Sequence, residues 1–175
     1  MPDLVPTFAG TFSPKQMPAR EYVPVTTNIF GKIRTGGDTH PSALREADLT
    51  VDNHLKLNVK GLPVCRAKQL EDRGSAAAVR ACGETIVGGG ESYFEIDFPE
   101  QKPLIANPSI TVFNGGKRDG KFKLLIHTFI SVPRPAPIIA VATIERRGSE
   151  LRSTVRIPVV ADGAGSLIDF KLRLG

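Results

Sequence analysis

The sequence predicts a mostly β fold: an antiparallel β-sandwich of about eight or nine strands, with a jelly roll as one version of it. Three observations lead there. Apolar residues recur at every second position along several stretches, which puts successive side chains on opposite faces of a strand. The 17 glycines and 14 prolines fall largely between those stretches, as turn residues do. Helical signals are confined to one segment between the two cysteines, Cys65 and Cys82, so there is no βαβ alternation and one or two short helices are expected there. With 175 residues, 41% of them hydrophobic, the chain can bury one substantial core. No apolar run approaches the roughly 18 residues that a membrane helix needs.

The elements follow in order. Residues 1–21, with Pro2, Pro6, Pro14 and Pro18, read as a Pro-rich extended arm, and residues 22–175 as a single domain. Residues 23–33 alternate. In residues 48–60, Leu49, Val51, Leu55, Leu57 and Val59 share one face, and Asp48, Asp52, His54, Lys56, Asn58 and Lys60 the other. Asn53 breaks the apolar row and marks a bend, bulge or turn. Ser75 is placed to cap a helix over residues 76–82, three alanines supply propensity, and Gly83 suits the left-handed position after it. A further helical turn fits residues 66–72.

Phe94, Ile96 and Phe98 mark the next strand. Asn114-Gly115-Gly116 and Asp119-Gly120 supply a turn between residues 110–113 and 122–132. Residues 122–132 and 138–144 are apolar on both parities. They predict central strands, or strands covered on their second face by the cysteine segment or the arm. Pro133-Arg-Pro-Ala-Pro137 is a stiff connection between them. Leu151, Val155, Ile157 and Val159, and then Ile168, Phe170, Leu172 and Leu174, complete the alternating set.

Twenty-three Lys and Arg against 18 Asp and Glu leave a net charge of +5. Those cations are spread from Lys15 to Arg173 rather than gathered on one helix, which disfavours nucleic acid as a partner. An anionic cell-envelope polymer or another protein fits the same charge, as does simple solubility. Lys56, Lys60, Lys121, Lys123, Arg152, Arg156, Lys171 and Arg173 fall on outward parity. They form a basic face only if their strands are neighbours; otherwise they discourage association between sheet edges.

Sixteen residues lie between Cys65 and Cys82. Closing a loop of that size stabilises a fold by about 3 kcal/mol, so a disulfide is the favoured reading over two buried thiols or half a metal site. A bridge points to an oxidising compartment and an extracellular or cell-envelope location. Residues 1–22 lack a basic stretch followed by an apolar run, which keeps a cytoplasmic location as the alternative.

Catalytic chemistry has few carriers. His127 shares the parity of Leu125 and Phe129, as a packed histidine does. His40 lies in a turn-like stretch, and Asp52 and His54 offer the start of a metal or polar site whose further ligands are not legible nearby. Gly165-Ser166 lacks the second glycine of a nucleophile elbow. Glu91, Glu95 and Asp97 read as cross-strand charge partners rather than a glycosidase pair. Trp is absent and Tyr occurs only twice, which disfavours aromatic binding platforms. No cofactor motif is present.

Gly61-Leu-Pro-Val-Cys65, the later Ala81-Cys82-Gly83, and Ile86-Val-Gly-Gly-Gly90 after it resemble uncharacterised secreted β-rich proteins of actinobacterial type. In those proteins a Leu-Pro-x-Cys, a short helix and an Ala-Cys-Gly precede a glycine-containing strand. The resemblance spans residues 30–175; it implies export and a paired Cys65 and Cys82, and carries no activity. The expected function is a non-enzymatic extracytoplasmic module with a binding, adhesion or envelope-structural role. The alternatives are a hydrolase assembled only in three dimensions around His127 or His40, and a basic module for anionic polymers.

Overall fold

The alternating stretches do pair, and every pairing is antiparallel. The computed structural model describes residues 4–37, 39–52 and 54–175, and of residue 52 the backbone alone. The strands are β1 (Leu4–Ser13), β2 (Thr26–Thr35), β3 (Glu46–Asp52), β4 (Ile86–Ile96), β5 (Leu104–Ala106), β6 (Ser109–Arg118), β7 (Lys121–Ile130), β8 (Ala136–Arg147), β9 (Glu150–Arg156) and β10 (Gly165–Leu174). They lie in one sheet in the order β1-β2-β10-β4-β6-β7-β8-β9-β3, with β5 beside β4. The count exceeds the expected eight or nine partly because Leu4–Ser13, within the Pro-rich arm, adds itself to β2 along its whole length.

The register divides the side chains into two faces. One carries Ile33, Phe94, Ile96, Val112, Ile130 and Ile138, all buried; no α-helix of the described residues lies on it, but Val160, Ala161 and Ala164, around the 3-10 turn Ala161–Gly163, pack against its Phe94 end. Curling of the sheet and the segment around Ala161–Gly163 together keep it from water, in the place that the second layer of a sandwich would take. Curling brings backbones close. A Cβ on Gly90 would run into the Lys171 carbonyl of β10, and one on Gly31 would fall inside the Phe170 ring that lies over it. Glycine is needed at both positions for that approach.

The other face of β6, β7 and β8 is covered by the cysteine segment. Cys65, Leu70, Ala78 and Cys82 pack with Phe113 and Leu125, and Ile139 and Val141 flank them. This explains why β7 and β8 are apolar on both parities. Each such side chain taken from water contributes about 1.5–3 kcal/mol. The Cys65–Cys82 disulfide is formed, with Cα atoms 5.6 Å apart, and helix α1 (Ser75–Cys82) lies inside its loop. Asn114, 1% exposed, docks the approach to the bridge: its Nδ2 donates to Pro63 O at 2.8 Å, and the Cys65 N–H donates to Asn114 O at 2.9 Å.

Local details differ from the sequence reading. Gly74, not Ser75, occupies the cap position of α1, and Ser75 is its first residue. Gly83 has φ −55°, so the chain continues into a 3-10 turn over Gly83–Thr85, closed by the Thr85 hydroxyl donating to Cys82 O at 2.8 Å. Asn114-Gly115-Gly116 is not the turn but a bulge inside β6. There the Asn114 Oδ1 accepts the Gly116 N–H at 3.0 Å, and Gly116 has φ +84° against Val64. Asp119 and Gly120 alone reverse the chain. Strand β3 stops at Asp52, and residues 55–59 keep alternating burial without belonging to a strand.

Candidate functional site

Four histidine and aspartate positions were the polar candidates, and the fold disperses them. His127 points from β7 toward the cysteine segment at 1% exposure; its Nε2 lies 2.9 Å from Arg73 O and its ring meets Phe113 edge-on. Its Nδ1 is buried without a hydrogen-bond partner among the described residues. Burial holds this imidazole below its ordinary pKa, against the opposing pull of the Arg73 carbonyl. His127 is thus a neutral packing residue. His54 sits exposed in the turn after β3, so it and Asp52 do not share a strand; the Asp52 side chain lies outside the described residues. Among the described residues no three His, Cys, Asp or Glu side chains gather as metal ligands do.

His40 is the exception. Its Nδ1 is 2.7 Å from Glu95 Oε1 on β4 and its Nε2 is 3.3 Å from Ser166 Oγ on β10. The pairing of Glu95 with Ser166 across β4 and β10 brings the last two together, and the loop after β2 lays the imidazole over them. Serine, histidine and carboxylate in contact are the parts of a hydrolytic triad. Two facts argue against that use. Ser166 is 1% exposed, and its hydroxyl donates to Pro41 O at 2.5 Å. A hydroxyl has one proton; with it on Pro41, the oxygen presents only lone pairs to His40, the reverse of what a general base requires. The cluster fastens residues 39–41 to the sheet.

The eight outward cations do not gather either. Lys121, Lys123, Arg152 and Arg156 lie on the face that α1 covers, toward its β9 and β3 end, and three of them are opposed by acids, while Lys123 stands opposite Thr143. Lys121 pairs with Glu145 at 3.0 Å, Arg156 with Glu46 at 2.9 Å, and Arg152 with Asp48. The Thr154 hydroxyl and then Arg152 hold the Asp48 carboxyl below its ordinary range, and Asp48 raises Arg152 in turn. Lys171 pairs with Glu91 at 3.1 Å across β10 and β4, the cross-strand arrangement expected of that glutamate. Lys56 lies over the Tyr22 ring, 5.3 Å from its centroid, and Lys60 is in the loop before Cys65. Arg173 borders a shallow, open depression of ≈ 380 Å³ with Asn28, Phe30, Glu91 and Lys171, floored by Gly89. Four cations neutralised by neighbours leave no continuous basic face.

What the sequence reading missed is the edge. β1 is exposed almost from end to end, with Val5 49%, Phe8 38% and Phe12 37% exposed, and it carries no charged residue. Among the described residues only β2 pairs with it, so its outer N–H and C=O groups are left without a strand partner. The opposite edge, β3, carries Glu46, Asp48 and Asp52. Natural edge strands are usually blunted by charge, shortness or proline; β3 carries acids, whereas β1 has Pro6 near one end and no charge along the rest of its length. The signal was present in Leu4–Ser13 as uncharged residues with Thr and Phe, but Pro6 and Gly10 weakened it. No helix among the described residues is long and apolar enough to cross a membrane. Comparison of the chain with protein-family models, with curated proteins and with solved structures finds no match.

Proposed function

We propose that this chain is a non-enzymatic, extracytoplasmic β module that acts by binding, in an adhesive or envelope-structural role, through the free edge of β1. The observation that carries this reading is a ten-residue strand at the sheet border, uncharged and exposing Val5, Phe8 and Phe12. Such an edge accepts another strand by main-chain hydrogen bonds. Export is supported by the Cys65–Cys82 disulfide, which persists in oxidising compartments, and agrees with the resemblance to secreted β-rich proteins of actinobacterial type.

The second reading, a hydrolase, is favoured by the His40 contacts to Ser166 and Glu95 and opposed by the burial of Ser166. Assay of the purified chain against simple esters, amides and glycosides decides between them. The binding reading predicts no turnover by the wild type. Turnover that Ser166→Ala and His40→Ala each abolish would replace it with the hydrolase.

A further inference from the structure

The sequence of β1 and the residue after it is nearly a mirror of itself. From Pro6 it runs Pro-Thr-Phe-Ala-Gly-Thr-Phe-Ser-Pro to Pro14, with Gly10 at the centre. Pro6 answers Pro14, Thr7 answers Ser13, and Phe8 answers Phe12. Mirror sequences are what an antiparallel pairing of identical strands brings face to face.

We propose that the outer edge of β1 pairs with the same edge of a second copy of this chain, about a two-fold axis through Gly10. This rests on the reading of β1 as the working edge and names its partner. In that register Phe8 of each copy lies opposite Phe12 of the other, a cross-strand aromatic pair made twice. Phe8 already leans on Phe170, with ring centroids 6.2 Å apart, so each Phe12 extends an existing aromatic row. Pro6, which has no N–H to donate, and the bend that begins at Pro14 bracket a ladder from Thr7 to Ser13.

Backbone direction agrees. Pro6 stands opposite Ile33 within the β1–β2 ladder, where a proline is tolerated with its nitrogen side turned away from the neighbour. With a period of two, Phe8, Gly10 and Phe12 then present their N–H and C=O outward. Charge chooses the partner. An uncharged strand meets its own copy without repulsion, and a two-fold contact closes at two chains. Pairing β1 with the acidic β3 of another copy would be head-to-tail and open-ended.

The test is sedimentation velocity of the full chain from about 1 µM to about 0.1 mM, a range that spans contacts of micromolar strength. The expected result is a rise from one-chain to two-chain mass. Gly10→Ala should leave it unchanged, because a Cβ there meets nothing nearer than Asn28 O at 3.7 Å. Gly10→Pro removes the outward N–H at the axis and should keep the chain at one-chain mass. A second pair of variants checks the register whether or not Gly10→Pro folds well. Phe8→Lys with Phe12→Lys, and Phe8→Glu with Phe12→Glu, should each stay at one-chain mass alone and associate when mixed. One-chain mass for the wild type throughout, or association of Gly10→Pro equal to wild type, overturns the second copy as partner.

A labelled Leu4–Ser13 peptide separates that failure from failure of the edge itself. If the wild-type chain stays at one-chain mass yet binds the peptide, and Gly10→Pro does not, the edge reading stands and the self-pairing falls. A one-chain wild type that also ignores the peptide overturns both.

Discussion

His127 is the residue whose chemistry bears most directly on stability. It is held neutral between β7 and the cysteine segment, below its ordinary pKa, chiefly because burial disfavours the cation. The unfolded chain takes up that proton near pH 6.5, so the stability from burying a neutral ring is complete above that value. It is lost as the pH falls from there through the depressed folded value, and levels off below it. Urea midpoints measured from pH 8 downward should therefore begin to fall below about 6.5. His127→Gln, which keeps a donor for Arg73 O, should flatten that part of the profile. Ser166→Ala should cost roughly 1–3 kcal/mol in the same assay, because Pro41 O and His40 lose a buried partner together. The role of His127 was legible from its parity with Leu125 and Phe129. The contact of His40 with Ser166 was not: 126 positions separate them, and it arises only when the loop after β2 lies over the Ser166–Glu95 pair that β10 and β4 make.

At the scale of elements, the cysteine segment is closed on itself by the disulfide and held to the sheet by the apolar contacts onto Phe113 and Leu125 and the Asn114 bonds to Pro63 and Cys65. The helix alone, eight residues long, would be marginal. Cys65→Ser with Cys82→Ser should lower unfolding free energy by about 3 kcal/mol, since it frees a loop with a sequence separation of 17. Backbone amides of α1 should lose exchange protection before those of β7, which remains paired to β6 and β8. An equal loss across α1 and β7 would mean that the segment and the sheet form one cooperative unit. Most strands and this segment were legible as patterns of period two and as a short alanine-rich stretch. The strand read into residues 54–60 was not realised, because alternation reports which side of the chain is buried and not whether a neighbouring backbone is available. The Asn114-Gly-Gly signal was misplaced for a related reason. The same residues serve a bulge as well as a turn, and the nearby Asp119-Gly120 already reverses the chain.

Across the whole molecule, the net charge of +5 acts through its distribution. Cations on β7, β9 and β10 are matched by acids on β8, β3 and β4, so exposed pairs neutralise the outer sheet and add little stability singly. Curling and the segment around Ala161–Gly163 keep the inner face from water, and the cysteine segment covers the middle of the other. Two borders remain. β3 is guarded by acids, and β1 is left apolar, uncharged and mirror-symmetric about Gly10. The charge and symmetry of Leu4–Ser13 stand in the sequence, but its place at the border could not be read by parity, because edge position is set by strand order, and strand order is a property of the assembled sheet. Amide hydrogen exchange resolved along β1, at low and high chain concentration, tests the resulting account most directly. Val5, Thr7, Ala9 and Thr11 should be protected by β2 at both concentrations, while Phe8, Gly10 and Phe12 should exchange fast when dilute and become protected when concentrated. Equally fast exchange of Phe8, Gly10 and Phe12 at both concentrations would contradict it.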